Sequence, residues 1–192
     1  KDKLIVALDV ADTAAAQAAL KQLKGKVSLV KIGLELYTKE GREIVKRAKG
    51  EGFEVFLDLK FHDIPNTVAK AMERIADLGV FMTNVHTLGG LVMMHEAKRS
   101  LGMSSKGKNP PLLIGVTVLT SHDQKSFNED LGIGGSIQDS VIRYAKLAQK
   151  AGLDGVVASP HEIKLIKSEV GKDFKVVTPG VRPSWADAQD QK

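Results

Sequence analysis

The sequence predicts a (β/α)8 TIM barrel, the α/β fold in which parallel strands alternate with helices, on three observations. Short, nearly continuous apolar runs alternate with stretches of helical periodicity along all 192 residues. The runs begin mostly 20 to 30 residues apart, with one longer gap before the sixth. Polar residues close one run after another: Asp9, Lys31, Asp58, His86, Thr120, Ser159 and Thr178. Unbroken hydrophobic runs suit parallel strands covered on both faces, and the period of 3.6 suits the helices that cover them. Successive βα units mean an α/β architecture. A doubly wound open sheet is the alternative, but it concentrates its chemistry at one switch point. A ring of polar strand ends suits the carboxyl-end face of a barrel. Closure needs an eighth strand, and Lys192 falls where that strand is due. The eighth strand and last helix are therefore expected to be missing from the given sequence. No linker or low-complexity stretch divides the chain, so one domain is expected over 1–192.

Taken in order, the first strand is expected at Leu4–Val10. The helix after it presents Ala16, Ala19, Leu20 and Leu23 on one face, behind an Asp12 cap. Ser28–Ile32 and Glu54–Leu59 supply the second and third strands. Val68, Met72, Ile75 and Gly79, spaced by four, three and four, mark a helix. Phe81–His86 and Leu112–Leu119 come next as strands, with Met93 and Met94 expected in the core between them. Thr120–Ser136, rich in Gly, Asp and Ser, is expected to be irregular. Ile137, Val141, Ala145 and Ala148 mark the next helix, and Gly155–Ala158 and Lys175–Thr178 the last two strands. A second irregular segment runs over Pro179–Lys192. Both irregular segments come after strands, so both are expected on the active face as mobile lids. Gly25, Gly50, Gly52, Gly79, Gly102, Gly152 and Gly171 are expected at helix ends, where a positive φ is often needed.

Composition excludes several classes. Hydrophobic residues make up 43% of the chain, too many for a disordered protein. No run approaches the length of a membrane span, and Lys1-Asp2-Lys3 does not open a signal peptide. The absence of cysteine removes disulfides, cysteine–zinc sites and thiol nucleophiles, and a cytosolic setting is expected. A net charge of +5 without any basic run or aromatic-basic stripe argues against nucleic-acid binding. His62, His86, His95, His122 and His161 lack ligand spacing, so no metal is expected. His86 closes a strand and could either support the site or touch a ligand. Gly132–Gly135 lacks the context of a phosphate-binding glycine loop, and loop flexibility accounts for it better.

Chemistry concentrates in the segment DLKFHDIPNT, residues 58–67. Asp58 and Lys60 are two apart at a strand end, so their side chains should share a face. Asp63 lies where the chain turns into a helix, and Pro65 suits that helix's first turn, so Asp63 could also cap it. Lys31 closes the preceding strand. If the two strands are neighbours, an alternating Lys-Asp-Lys-Asp array results. Unit charges about 4 Å apart interact by about 4 kcal/mol at an effective dielectric near 20. Within such an array carboxylates stay ionised and lysines protonated. Lys60 is then a fixed cation suited to protonate a forming carbanion. The carboxylates repel a substrate carboxylate placed among them, and loss of CO2 relieves that repulsion. Neither metal nor organic cofactor is required. Arg182, on the loop after the seventh strand, sits where barrel enzymes often hold phosphate.

DLKFHDIPNT resembles the signature of the orotidine 5′-phosphate decarboxylase family. LIVALDV, VKIGLEL, NVHTLGG, VTVLTS, and TPGVRP with DQK further on support the resemblance, in family order over the whole chain. The resemblance implies orotidine 5′-phosphate as the substrate and UMP as the product, with no cofactor. It also implies the roles of individual residues. Lys31, Asp58, Lys60 and Asp63 match the charged tetrad. Lys60 protonates C6, Asp58 sits near the departing carboxylate, and Lys31 holds Asp58 and a ribose hydroxyl. Asp9 matches a ribose-contacting aspartate and Thr120 a hydroxyl residue that touches the pyrimidine. Pro179 opens the phosphate loop, on which Arg182 and Gln191 match phosphate contacts. Asp63, Ile64 and Thr67 reach the neighbouring subunit's site, which implies a homodimer. The family's Gly-Arg pair after strand eight is not in the given sequence. Related sugar-phosphate enzymes share Asp-x-Lys-x-x-Asp, but typically continue with Ala-Gly and carry an acidic metal ligand near position 31. Ile64-Pro65-Asn66-Thr67 and Lys31 favour the metal-free nucleotide reaction.

Overall fold

A computed structural model of the chain describes residues 3–106 and 109–181. Seven parallel strands form one sheet in strict sequence order: β1 (Ile5–Ala7), β2 (Leu29–Ile32), β3 (Glu54–Phe61), β4 (Met82–His86), β5 (Leu112–Val116), β6 (Gly155–Val157) and β7 (Lys175–Val177). Sequential order without a reversal is the barrel pattern, and it excludes the doubly wound alternative. The eighth strand expected near Lys192 lies outside the described residues.

The helices between the strands are α1 (Thr13–Leu23), α2 (Leu34–Glu40), α3 (Arg42–Gly50), α4 (Pro65–Leu78), α5 (Gly90–Ser104), α6 (Gln124–Glu129), α7 (Ile137–Lys150) and α8 (Ile163–Val170). Asp12 caps α1 as expected, its carboxylate accepting from the Ala15 N–H at 2.8 Å. Val68, Met72 and Ile75 form the buried stripe of α4, and Gly79 ends that helix at φ 58°. Gly50 closes α3 and Gly102 lies in the last turn of α5, as expected of helix ends, but neither has a positive φ. Among the described residues, no helix is long and apolar enough to cross a membrane.

Strand alternation sorts the core into two layers. Val30, Ile32, Val55, Leu57, Val85 and Leu113 point outward and pack against helix residues such as Leu20, Ile44, Met72, Met93 and Met94. Leu29, Phe56, Met82 and Ile114 point the other way and pack on one another. Burying each such side chain contributes about 1.5–3 kcal/mol. Two residues further along three of these strands, the inward positions become polar: Lys31 follows Leu29, Asp58 follows Phe56 and Asn84 follows Met82. The period of two thus stacks a charged layer on an apolar floor, toward the carboxyl ends of the strands.

Several boundaries depart from the expected ones. β1 and β5 stop short of Val10 and Leu119, whose segments leave the ladder to form the strand-to-helix turns. The segment expected to be irregular, 120–136, contains α6, which a capping box sets up. The Asp123 carboxylate accepts from the Ser126 N–H at 2.9 Å, and the Ser126 hydroxyl accepts from the Asp123 N–H at 3.2 Å. Phe127 anchors that helix, fully buried.

Candidate active site

Parallel pairing of β2 with β3 brings the second and third strand ends side by side, with Lys31 level with Phe56 and two residues short of Asp58, on the same face. Lys31 Nζ lies 3.6 Å from Asp58 Oδ2 and 3.2 Å from Asp9 Oδ1. Lys60 Nζ donates to Asp58 Oδ1 at 2.8 Å. Asp58 is buried, Lys31 and Lys60 are half-buried, and Asp9 is exposed at the rim. These four side chains line one cleft of about 140 Å³ together with Leu8, Gly33 and residues 34–36.

The proximity of Asp58 and Lys60 has a different origin from simple alternation. The β3–β4 register runs Phe56↔Met82 and Leu57↔Thr83, then resumes at Phe61↔Val85. Three residues of β3 thus face the single residue Asn84. Lys60 adopts φ 50°, a left-handed conformation that costs a non-glycine residue about 1–3 kcal/mol. The bulge turns the Lys60 side chain back onto Asp58.

Asn84 is fully buried opposite this bulge. Its amide donates to Asp58 Oδ1 at 2.6 Å, and its carbonyl oxygen accepts from the Lys60 N–H at 2.8 Å. Burial alone would raise the Asp58 pKa. The Lys60 ammonium, the Asn84 amide and the Lys31 charge outweigh it and hold the carboxyl below its ordinary range. His86, half-buried at the end of β4, lies beside His62, the ring centroids 5.6 Å apart and the planes tilted by 38°. Its pKa is lowered, first by burial and then by the neighbouring His62 and Lys60 charges, with Asp58 opposing.

The other expected residues lie apart from this cluster. Asp63 does not complete the array within its own chain: it is exposed, and its carboxylate accepts from the Ile64 N–H at 2.6 Å. Nor does Asp63 cap α4, whose N-cap is Ile64 without a side-chain cap, followed by Pro65. Chain direction explains both: the strand ends at Phe61, and the next residues lead away over the rim. Ile64 is 68% exposed, and Thr67 is exposed beside it. Thr120 lines a second cleft, of about 360 Å³, with His122, Gln124, Ile137, Ser159 and His161. Pro179 is half-buried after β7. Arg182 and Gln191 lie outside the described residues.

Two residues near the cleft escaped the sequence reading. Asn84 had a signal: an amide in a central strand that is otherwise read as covered on both faces. Gly33 had less. Its φ of −96° makes no demand for glycine, but a methyl group there would sit 3.3 Å from Lys31 Nζ. The glycine leaves room for the ammonium.

Residues 2–192 match the model of the family described as orotidine 5′-phosphate decarboxylase / HUMPS. The chain is 50% identical over 194 residues to an orotidine 5′-phosphate decarboxylase of Syntrophotalea carbinolica, a match spanning all of this chain and 79% of that one. It is 49% identical to the Actinobacillus pleuropneumoniae serotype 5b protein of the same name, spanning all of this chain and 82% of that one. Among solved structures, the orotidine 5′-phosphate decarboxylase of Lactobacillus acidophilus superposes with a TM-score of 0.89 at 37% identity, over 96% of this chain and 83% of that one. Fold and sequence agree, and the chain belongs to the orotidine 5′-phosphate decarboxylase / HUMPS family.

Proposed function

We propose that this chain decarboxylates orotidine 5′-phosphate to UMP in de novo pyrimidine synthesis, as a carboxy-lyase that uses its own side chains and no cofactor. The observation that carries the reading is the placement of Asp58 between two ammonium groups at the floor of a cleft. The C6 carboxylate of the substrate, seated beside Asp58, meets like charge at close range in a partly dry site. Breaking the bond from C6 to the carboxylate carbon releases CO2 and leaves the electron pair on C6. Lys60 stabilises that pair and gives it a proton. Repulsion is relieved and attraction strengthened as the reaction proceeds, so the site favours the transition state over the bound substrate.

Lys31 and Asp9, linked at the rim, suit a ribose hydroxyl. Thr120 suits the pyrimidine edge and Pro179 the phosphate, as do Arg182 and Gln191, which lie outside the described residues. Closure of 120–136 over the nucleotide converts remote binding into alignment and exclusion of water. Asp63, Ile64 and Thr67 serve the site of a second copy in a homodimer. The exposure of Ile64, just beyond the carboxyl end of β3 that also carries the cleft, supports that role.

The family also contains magnesium-assisted sugar-phosphate chemistry as the second reading implied by resemblance. Lys31 argues against it, since its ammonium lies 3.6 Å from Asp58, where a divalent cation would need an oxygen ligand. The deciding experiment monitors the ultraviolet absorbance of orotidine 5′-phosphate with and without EDTA. Consumption undiminished by EDTA is expected. Turnover that needs a divalent ion, or tight UMP binding without any turnover, overturns the reading.

A further inference from the structure

The least exposed polar side chain beside the candidate site belongs to no charged pair. Asn84 is fully buried on β4, and both ends of its carboxamide are engaged. One partner is a carboxylate, which only accepts, and the other is a backbone N–H, which only donates. That opposition sets the orientation of the amide: its NH2 must face Asp58 and its oxygen must face Lys60. The position is also one where strand pairing fails. β3 supplies residues 58–60 opposite this one residue, so the ladder hydrogen bonds are interrupted there. The Asn84 oxygen takes the N–H that the ladder leaves free, at the residue whose φ is left-handed.

This arrangement has two consequences. Asp58 Oδ1 receives both Lys60 Nζ and Asn84 Nδ2, which leaves Oδ2 turned to Lys31 and the cleft. The backbone of Lys60 is tied to the same amide that ties Asp58, so the two groups cannot rotate independently. We propose that Asn84 is a positioning residue: its carboxamide clamps the β3 bulge and so holds the Asp58 carboxylate and the Lys60 ammonium in fixed relation. The inference rests on the reading of Asp58 and Lys60 as the groups that act on the substrate. It assigns Asn84 no contact with the substrate itself.

Steady-state kinetics of Asn84→Ala on orotidine 5′-phosphate test the clamp. Misplacing a reacting pair by about 1 Å can cost about 100-fold, so kcat should fall by about 10- to 100-fold. KM and UMP affinity should stay within about threefold of wild type, because the clamp touches neither ribose nor phosphate groups. A kcat within about twofold of wild type overturns the proposal, and so does a fall in kcat matched by an equal loss of UMP affinity, which is general loosening of the site. Asn84→Asp keeps the shape and carries the test if the alanine variant does not fold. A second carboxylate 2.6 Å from Asp58 must share a proton with it. The acid limb of kcat against pH should then move up by about one unit or more; an unmoved limb overturns the proposal. Lys60→Ala runs alongside. Full activity in Lys60→Ala sinks the underlying reading, whereas an inactive Lys60→Ala beside a fully active Asn84→Ala sinks only the clamp.

Discussion

Two Lys–Asp pairs stand at opposite ends of the same sheet. At the carboxyl end, Lys60 meets Asp58; before the amino end of β6, Lys98 of α5 meets Asp154. The two lysines have similar exposure, Asp58 is the more buried aspartate, and the surroundings of the pairs differ. Asp154 Oδ2 also accepts from the Leu113 N–H at 2.7 Å, while the Asp154 backbone bonds to Leu113 and Lys175. That aspartate ties a helix and three strands together. Asp58 instead has one oxygen saturated by Lys60 and Asn84 and the other facing a cleft. It sits on a left-handed bulge rather than a regular ladder. The same ionic chemistry stabilises the fold where it closes on itself, and becomes available for a substrate where it opens on space.

The largest expected effect belongs to the cleft pair. Lys60→Ala should lower kcat by about 1,000-fold or more, as expected for loss of a proton donor, while UMP still binds measurably in a fluorescence or calorimetric titration. A near-wild-type rate would remove Lys60 from the chemistry. Mixing Lys60→Ala with inactive Asp63→Asn should restore part of the activity, since one of the two shared sites then holds both native residues. No recovery after proven subunit exchange would end the shared-site proposal.

Lys98→Ala should act on stability alone. It leaves Asp154 with the Leu113 N–H and no cation, a loss of about 1–3 kcal/mol. At this chain length each kcal/mol lowers Tm by about 2–4 °C, measured by calorimetry. kcat/KM should change less than twofold, and a large loss would blur the contrast between the two ends.

The smallest effect is in pH. His86 has its pKa lowered in the fold, so the unfolded chain binds its proton first as pH falls. Its contribution to stability is complete above the ordinary value of 6.5 and is lost as pH falls through the lower folded value. Asp58 has the same sign further down, stabilising above 3.8 and losing that contribution below it. Chemical denaturation from pH 7 to pH 5 should show a shallow decline in the wild type that flattens in His86→Phe. An identical slope in both would remove His86 as its source.

Most of the architecture was legible in the chain. The apolar runs placed every strand of the described residues to within a few positions, because a strand covered on both faces must be apolar throughout. The α1 and α4 stripes were legible through their period, and Lys31, Asp58 and Lys60 as charges closing buried runs. Less of the site's internal order was legible. That 58 and 60 are two apart suggested a shared face, yet they meet through a bulge at Lys60 that alternation does not describe. Asp63 looked like the fourth member of the array, and the turn after Phe61 carries it out of reach of its own cleft. α6 arose from a polar segment because Asp123 and Ser126 cap each other, a reciprocal contact that composition averages away.

Periodicity decides which face of each strand or helix is buried, since solvation acts on every residue through its own side chain. It was enough to put an apolar layer beneath a charged one and to name the charges. Distances within the charged layer depend on how neighbouring strands slip against each other and on what fills the gap when they do. Asn84 fills that gap from a different strand, 26 residues after Asp58. Such a contact exists only once β3 and β4 are paired: the sequence marks Asn84 as an amide in an apolar strand, and pairing alone decides what that amide meets.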